Sequence, residues 1–196
     1  FHFSWFLPRL LGTNLRSWQI VAYSSAVAFS GLLGAYTGTW WAPLLGVGLS
    51  GVVGFNVRHP VLVDLPAMCL ALGAVVALDA GWWYVAVPLV LLAGCTKESS
   101  PVFAACWAWN PLLLVGLVPA AGRALMKPGL DPLSRYPEHV EILHHPIRSS
   151  IKFHRDLPLW IYVLPWGVCL LGLANGTPQL WITLGLAYGQ LLVATD

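Results

Sequence analysis

Long apolar runs separated by short polar turns make up most of the chain. Seven runs approach the ~20 residues with which a helix crosses the hydrocarbon core of a bilayer. They are Ser17–Tyr36, Trp40–Val57, Val61–Ala80, Trp82–Ala93, Pro101–Ala120, Leu157–Ala174 and Pro178–Thr195. Backbone polar groups in hydrocarbon must be paired within the segment, and the runs lack the alternation of barrel strands. The pattern therefore predicts an all-α, polytopic transmembrane protein with about seven spans.

The third and fourth runs are too short for a full crossing. Asp64 followed by Pro66 is typical of a helix start, which leaves about sixteen residues for the third helix. Short helices are tolerated in a membrane where protein or a water-filled cavity replaces lipid. Tryptophans stand at or near the ends of the runs, as expected for residues at headgroup level. The sequence shows no internal repeat, which disfavours a transporter built from inverted repeats.

Composition supports a membrane protein and excludes a soluble enzyme domain. Hydrophobic residues make up 58% of the chain, charged residues 9%, and the mean hydropathy is +0.72. A soluble domain usually carries about a quarter charged residues. The four cysteines lie in or at the ends of apolar runs without C-x-x-C spacing, so they predict small buried hydrophobes rather than a disulfide framework.

One segment looks soluble, Gly122–Asp156. It carries six of the ten basic residues, and the other four fall on the opposite side of the predicted bundle. The positive-inside rule then predicts a cytoplasmic loop in a single transmembrane domain over residues 1–196, most simply in a bacterial inner membrane. The loop's histidines have irregular spacing, which favours an amphipathic interfacial segment over a metal site. We predict no cofactor, with a possible divalent metal left open, no metal ligand among the site residues, and no nucleic-acid partner.

Four ionisable residues lie within or beside the apolar runs: Arg58, Asp64, Lys97 and Glu98. Charges in such places are costly and are therefore candidates for function. The alternating path of the spans places all four at the same face of the membrane, although they are spread along the second to fifth spans. We expect them to form one site.

The segments around these residues resemble a known family. The stretch Asn56–Met68, followed by an apolar helix and then Ala93–Glu98, is similar to the polyprenol-dependent membrane glycosyltransferases of the GT-C fold, such as protein mannosyltransferases and the aminoarabinose transferase of lipid A. The resemblance covers about Arg58–Trp109. It implies a transferase that moves a sugar from a polyprenyl-phosphate donor to an acceptor at the extracytoplasmic face.

The resemblance also implies roles for the four residues. Arg58 and Lys97 would bind the donor phosphate, Asp64 would orient the acceptor or the sugar as the catalytic carboxylate, and Glu98 would support Lys97. The main acidic residue of the family lies in a loop after its first span. We expect the present chain to be a fragment that begins after that loop.

Each charge also has an ordinary interpretation. Asp64 suits a helix cap, Arg58 with His59 suits an interfacial pair with its charge extended to the headgroups, and Lys97-Glu98 suits a solvated turn. A non-catalytic subunit or scaffold of a larger membrane complex explains the spans equally well and treats the charges as interface anchors. Both functional hypotheses stay open at the level of sequence.

Overall fold

The computed structural model describes residues 15–48 and 64–126, with residues 178, 181, 182 and 185, and its regular elements there are all helical. They are α1 (Leu15–Thr37), α2 (Trp41–Gly48), α3 (Asp64–Asp79), α4 (Trp83–Thr96), α5 (Ser100–Ala108), a 3-10 segment (Pro111–Leu117) and α6 (Val118–Met126). The chain divides into two units, Phe1–Ala124 and Leu125–Asp196, and the packing discussed below lies within the first. The all-α prediction is confirmed for these residues.

The number of spans is not settled by the helices. Among the described residues, α1 alone is both long and apolar enough to cross a membrane, whereas α4 and Pro111–Gly122 are apolar but shorter. The sixth predicted span lies outside the described residues, as do most of the seventh, much of the second and most of the predicted loop Gly122–Asp156. About seven spans therefore stays a prediction.

The third predicted helix begins where its sequence signal placed it. α3 starts at Asp64 and has 16 residues. Pro66 lies in the first turn, where its missing N–H leaves no helical hydrogen bond unmade. The helix ends at Asp79, and Gly81 follows with φ of +77°, a left-handed conformation that glycine adopts without a steric penalty. The left-handed Gly81 and the backbone hydrogen bonds from the N–H groups of Gly81 and Trp82 to Leu78 and Ala77 therefore reverse the chain into α4.

Small side chains fill the space between the helices. α3 packs against α1, α4 and α5, and α4 packs against the 3-10 segment. The central cluster is mostly alanine and valine: Ala71, Ala74, Val75, Ala77, Ala86, Val90, Ala93, Ala104, Ala105 and Leu113. A smaller cluster joins α1 to the start of α3 through Phe29 and Leu65. Interfaces of small residues let helix backbones approach closely, which is typical of packing within membranes.

The fifth predicted span, Pro101–Ala120, is not one continuous helix in the structure. α5 ends at Ala108, Trp109 adopts a left-handed conformation with φ of 50°, and Asn110 is extended before Pro111. A residue before proline is disfavoured in the helical region, and proline has no N–H to continue the helix. The physical break therefore lies in the Asn110-Pro111 step.

The chain then folds back on itself. A Cβ placed on Gly116 would lie only 2.6 Å from the Cγ atom of Pro101, so the end of the 3-10 segment lies beside the start of α5. Nine α-helical and seven 3-10 residues each rise about 14 Å, so the two legs match in length. We call this element, Ser100–Leu117, the hairpin.

The turn of the hairpin satisfies its own backbone donors. The N–H of Trp109 donates to Ala105 and Cys106, and that of Asn110 donates to the Ala105 carbonyl at 3.0 Å. The N–H of Leu112 donates to Asn110 Oδ1 at 2.9 Å, while Leu113 donates to the Asn110 carbonyl. Non-helical backbone can lie at membrane depth only when its polar groups are paired in this way or line a cavity.

Asn110 gives the first prediction. Asn110→Ala should lower the free energy of unfolding by about 0.5–2 kcal/mol, because the Leu112 N–H loses its side-chain acceptor. Asn110→Ser keeps an acceptor of the same capping class and should lose less. Thermal unfolding of the detergent-solubilised protein measures both variants. Equal losses in the two variants would show that the cap contributes nothing.

Candidate functional site

The candidate site centres on a side-chain contact between α3 and α4. Lys97 Nζ donates to Asp64 Oδ1 over 2.5 Å, and the two residues are 33 positions apart in sequence. The lysine side chain is 22% exposed and the aspartate side chain 31%. The pair is thus shielded on most sides but can still be reached from outside.

Helix ends position both charges. Asp64 lies in the first turn of α3, and Lys97 follows the last residue of α4 as its C-terminal cap. Lys97 is extended, with φ of −147° and ψ of 119°, and its N–H donates to the carbonyl of Ala93 at 2.7 Å. An anion at a helix N-terminus and a cation at a C-terminus are each favoured by the aligned peptide dipoles, by about 0.3–1 kcal/mol. The pair therefore has a structural role whatever else it does.

A close backbone crossing holds the Lys97 end of α4. A Cβ on Gly94 would overlap the carbonyl oxygen of Gly116, and a Cβ on Gly116 would lie 2.5 Å from the carbonyl oxygen of Val90. Gly94 precedes Lys97 by three residues, so less than one helical turn separates the crossing from the lysine. The hairpin thus fixes where α4 ends and where Lys97 lies.

A second contact ties the hairpin to α1. Trp107 Nε1 donates to Tyr36 Oη at 2.8 Å, and the two rings lie with centroids 6.4 Å apart at 55°. Tyr36 also packs against the central cluster. The two legs of the hairpin are therefore anchored at both ends, by glycine contact with α4 and by this hydrogen bond to α1.

Of the predicted site residues, the structure brings Asp64 and Lys97 together. Arg58 lies outside the described residues. Glu98 is exposed in the turn after α4, and the carboxylate that receives the Lys97 hydrogen bond at 2.5 Å belongs to Asp64. The supporting role of Glu98 and the phosphate-binding role of Arg58 stay predictions.

Sequence reasoning missed the glycine crossing and the Tyr36–Trp107 contact. Neither has a local signal, because both depend on the tertiary fold-back of the hairpin. The break at Asn110-Pro111 did have one, in the restriction that proline places on the preceding residue.

The described residues hold no group of three or more side chains that would ligate a metal ion. The histidines of the predicted loop lie outside that part of the chain. Comparison of the sequence with family models and with curated proteins, and of the fold with solved structures, gives no match.

Proposed function

We propose that this chain is the core of a membrane glycosyltransferase that takes a sugar from a polyprenyl-phosphate donor. The observation that carries the proposal is the partly exposed Asp64–Lys97 pair at the junction of α3 and α4. A cation and a carboxylate within one hydrogen bond of each other meet the two chemical needs of sugar transfer. The first is to stabilise the negative charge that develops on the leaving phosphate, and the second is to remove a proton from the acceptor.

Location in a bilayer is the first part of the proposal. Only 11% of the most apolar window of α1 is buried, whereas a core helix of a soluble protein would be mostly buried. Large hydrophobic side chains are exposed around two turns: Trp40, Trp41, Trp82, Trp83 and Tyr84. Lipid would cover these surfaces, and the aromatic rings with polar groups suit the headgroup region.

The second part is the donor. A cation inside an apolar bundle favours an anionic ligand, and a long isoprenoid keeps the phosphate of such a ligand at the membrane. The site can accept that phosphate at Lys97, whose side chain is 22% exposed. Arg58, if it reaches the same site, would add a planar guanidinium that can hold two phosphate oxygens at once.

The third part is the chemistry. The bond between the anomeric carbon and the donor phosphate oxygen breaks, and a bond from the acceptor oxygen to that carbon forms. The electron pair of the broken bond leaves with the polyprenyl phosphate, where Lys97 stabilises the developing negative charge. The acceptor proton passes to a carboxylate, for which Asp64 is the candidate within the described residues. No soluble nucleotide sugar is required.

A transfer assay tests the proposal directly. Membranes that contain the complete chain are given undecaprenyl phosphate carrying radiolabelled mannose, glucose or aminoarabinose. We expect the labelled sugar to pass from one of these donors to a lipid or protein acceptor, and undecaprenyl phosphate to be released. Membranes from a deletion strain are the control.

Absence of transfer from every donor, by protein that is inserted and folded, would contradict the proposal. It would favour the rival interpretation, a non-catalytic membrane subunit. In that protein the Asp64–Lys97 pair serves only to join the ends of α3 and α4.

A further inference from the structure

The hydroxyl of Ser100, at the start of α5, is buried and has no hydrogen-bond partner among the described residues. Ser100 is 6% exposed. Its backbone N–H donates to the carbonyl of Lys97 at 3.1 Å, but in the described part of the chain its Oγ atom forms no hydrogen bond. Buried hydroxyl groups nearly always have a partner, because an unpaired one costs free energy. The hydroxyl can therefore donate to a bound ligand.

The backbone donors in the first turn of α5 are already used. Pro101 has no N–H, and the N–H groups of Val102 and Phe103 both donate to the carbonyl of Ser99, at 3.1 and 3.3 Å. The N–H of Ser100 donates to Lys97. In the turn Ser100–Phe103, the donor left for a ligand is therefore the hydroxyl and not the backbone.

Three helix ends bring this hydroxyl to the candidate site. The contact between Asp64 and Lys97 joins the start of α3 to the end of α4, and Ser100 follows Lys97 by three residues. α5 also packs against α3. The Cα–Cβ bonds of a helix tilt toward its N-terminus, so the side chain of Ser100 is inclined toward the turn that carries Lys97. The hydroxyl therefore lies next to the ion pair, and Ser100 is more deeply buried than either charged side chain.

The chemistry of these groups selects an oxyanion. A ligand that meets both must accept a hydrogen bond from the hydroxyl and be attracted by the ammonium group of Lys97. A phosphate has several acceptor oxygens and a negative charge, so one oxygen can face each group. A hydrogen bond from a hydroxyl to an ionised oxygen is shorter and stronger than one to a neutral oxygen. An uncharged alcohol would gain less from the same contact.

We propose that Ser100 is a further ligand-binding residue, whose hydroxyl donates to an oxygen of the phosphate held beside Lys97. The identity of the phosphate as that of a polyprenyl donor rests on the proposed function. The contact itself requires only an oxyanion, so a lipid phosphate and free phosphate both fit it. Binding of either gives the buried hydroxyl the acceptor that it lacks among the described residues.

The test measures binding to the complete chain in lipid nanodiscs, with undecaprenyl phosphate and the uncharged undecaprenol as probes. Ser100→Ala should weaken binding of undecaprenyl phosphate roughly tenfold or more, the effect of losing a hydrogen bond to a charged group. Binding of undecaprenol should be unchanged. The unliganded variant should melt at or above the temperature of the wild type, because alanine removes a buried hydroxyl that has no partner. A serine with a purely structural role would show the opposite change in stability.

A neighbouring hydroxyl supplies the matched control. Thr96 directly precedes Lys97, and its Oγ1 already donates to the carbonyl of Leu92 at 2.7 Å. Thr96→Val removes this hydroxyl at nearly constant volume and should leave the affinity for undecaprenyl phosphate unchanged. Ser100→Ala combined with Lys97→Met should weaken binding by less than the product of the two single effects, because both residues contact one phosphate.

Inorganic phosphate, added as a competitor, identifies the source of the ligand. Competition supports a site for any phosphate, and its absence supports a site for a lipid phosphate. In both cases Ser100→Ala must weaken the phosphate that binds.

The outcomes separate the inference from the proposed function. Equal affinity of the wild type and Ser100→Ala for undecaprenyl phosphate overturns the inference even if sugar transfer is observed. An unliganded Ser100→Ala protein that melts lower and loses affinity for undecaprenol equally also overturns it, as does an equal loss of affinity in Thr96→Val. Phosphate-dependent weakening by Ser100→Ala, in a protein that transfers no sugar, supports the Ser100 contact and overturns the transferase.

Discussion

Under the proposed function, Lys97→Ala should lower sugar transfer by about 10²–10³-fold, the range found when one preorganised donor to a developing negative charge is removed. The reason is that Lys97 lies one hydrogen bond from the candidate carboxylate and is accessible to a phosphate. The measurement is the initial rate of transfer in membranes that contain equal amounts of folded protein. Lys97→Arg keeps the charge and should retain more activity than Lys97→Ala.

The control must separate lost chemistry from lost structure. Lys97→Ala leaves the Asp64 carboxylate without the hydrogen bond from Nζ, and removal of one partner of a shielded pair destabilises proteins. The double variant Asp64→Asn with Lys97→Met removes both charges and keeps similar volume, so it should fold at least as well as Lys97→Ala. Under the proposal it is also inactive. Full activity in the double variant would exclude the pair from the chemistry.

Gly116→Ala should destabilise the protein by about 3 kcal/mol or more, at or above the upper end of the usual cost of overpacking. Its new Cβ would lie 2.5 Å from the Val90 carbonyl oxygen and 2.6 Å from Pro101 Cγ. Both neighbours are held by backbone or by a ring, so no side-chain rotation relieves the clash. The unfolding midpoint, followed by loss of the monodisperse peak on size-exclusion chromatography after heating, measures the effect.

Gly31→Ala is the matched control for this prediction. It makes the same chemical change within a helix, in a position with no atom within 4 Å, and should be neutral or stabilising by about 0.4–1 kcal/mol. Gly94→Ala strains the same crossing as Gly116→Ala, so the double variant should lose less than the sum of the two. A Gly116→Ala protein as stable as Gly31→Ala would show that the crossing is not tight.

Local sequence signals were enough to predict helix α3 and the charged residue at its start, Asp64. The Asp64–Pro66 pattern identifies the start of the helix because it depends on residues within one turn of each other. The sequence also placed Asp64 and Lys97 on one side, since alternating helices bring the start of α3 and the end of α4 together. The sequence did not predict the direct contact between the Asp64 and Lys97 side chains, because that contact depends on the angle and separation of the two helices.

The break at Asn110-Pro111 had a local signal, but the fold-back of the hairpin did not. Its two legs together have the length and hydropathy of one span, so counting apolar residues predicts a crossing. What turns the chain back is the combination of a left-handed Trp109, a capping Asn110 and the glycine contact with α4. The third of these exists only in the folded state, so no window of sequence reports it.

The hairpin has a consequence for biosynthesis. In a chain that enters a bilayer as proposed, an insertion machinery that recognises about twenty apolar residues would accept Ser100–Ala120 as a stop. Yet Leu113 is fully buried in the cluster shared with α3 and α4, and Gly116 touches Val90 and Gly94. The returning leg, Pro111–Leu117, can therefore pack only after α3 and α4 have associated. It would fold back late, after insertion into the bilayer. Ribosome-bound chains that end soon after Leu117 would still lack this packed arrangement.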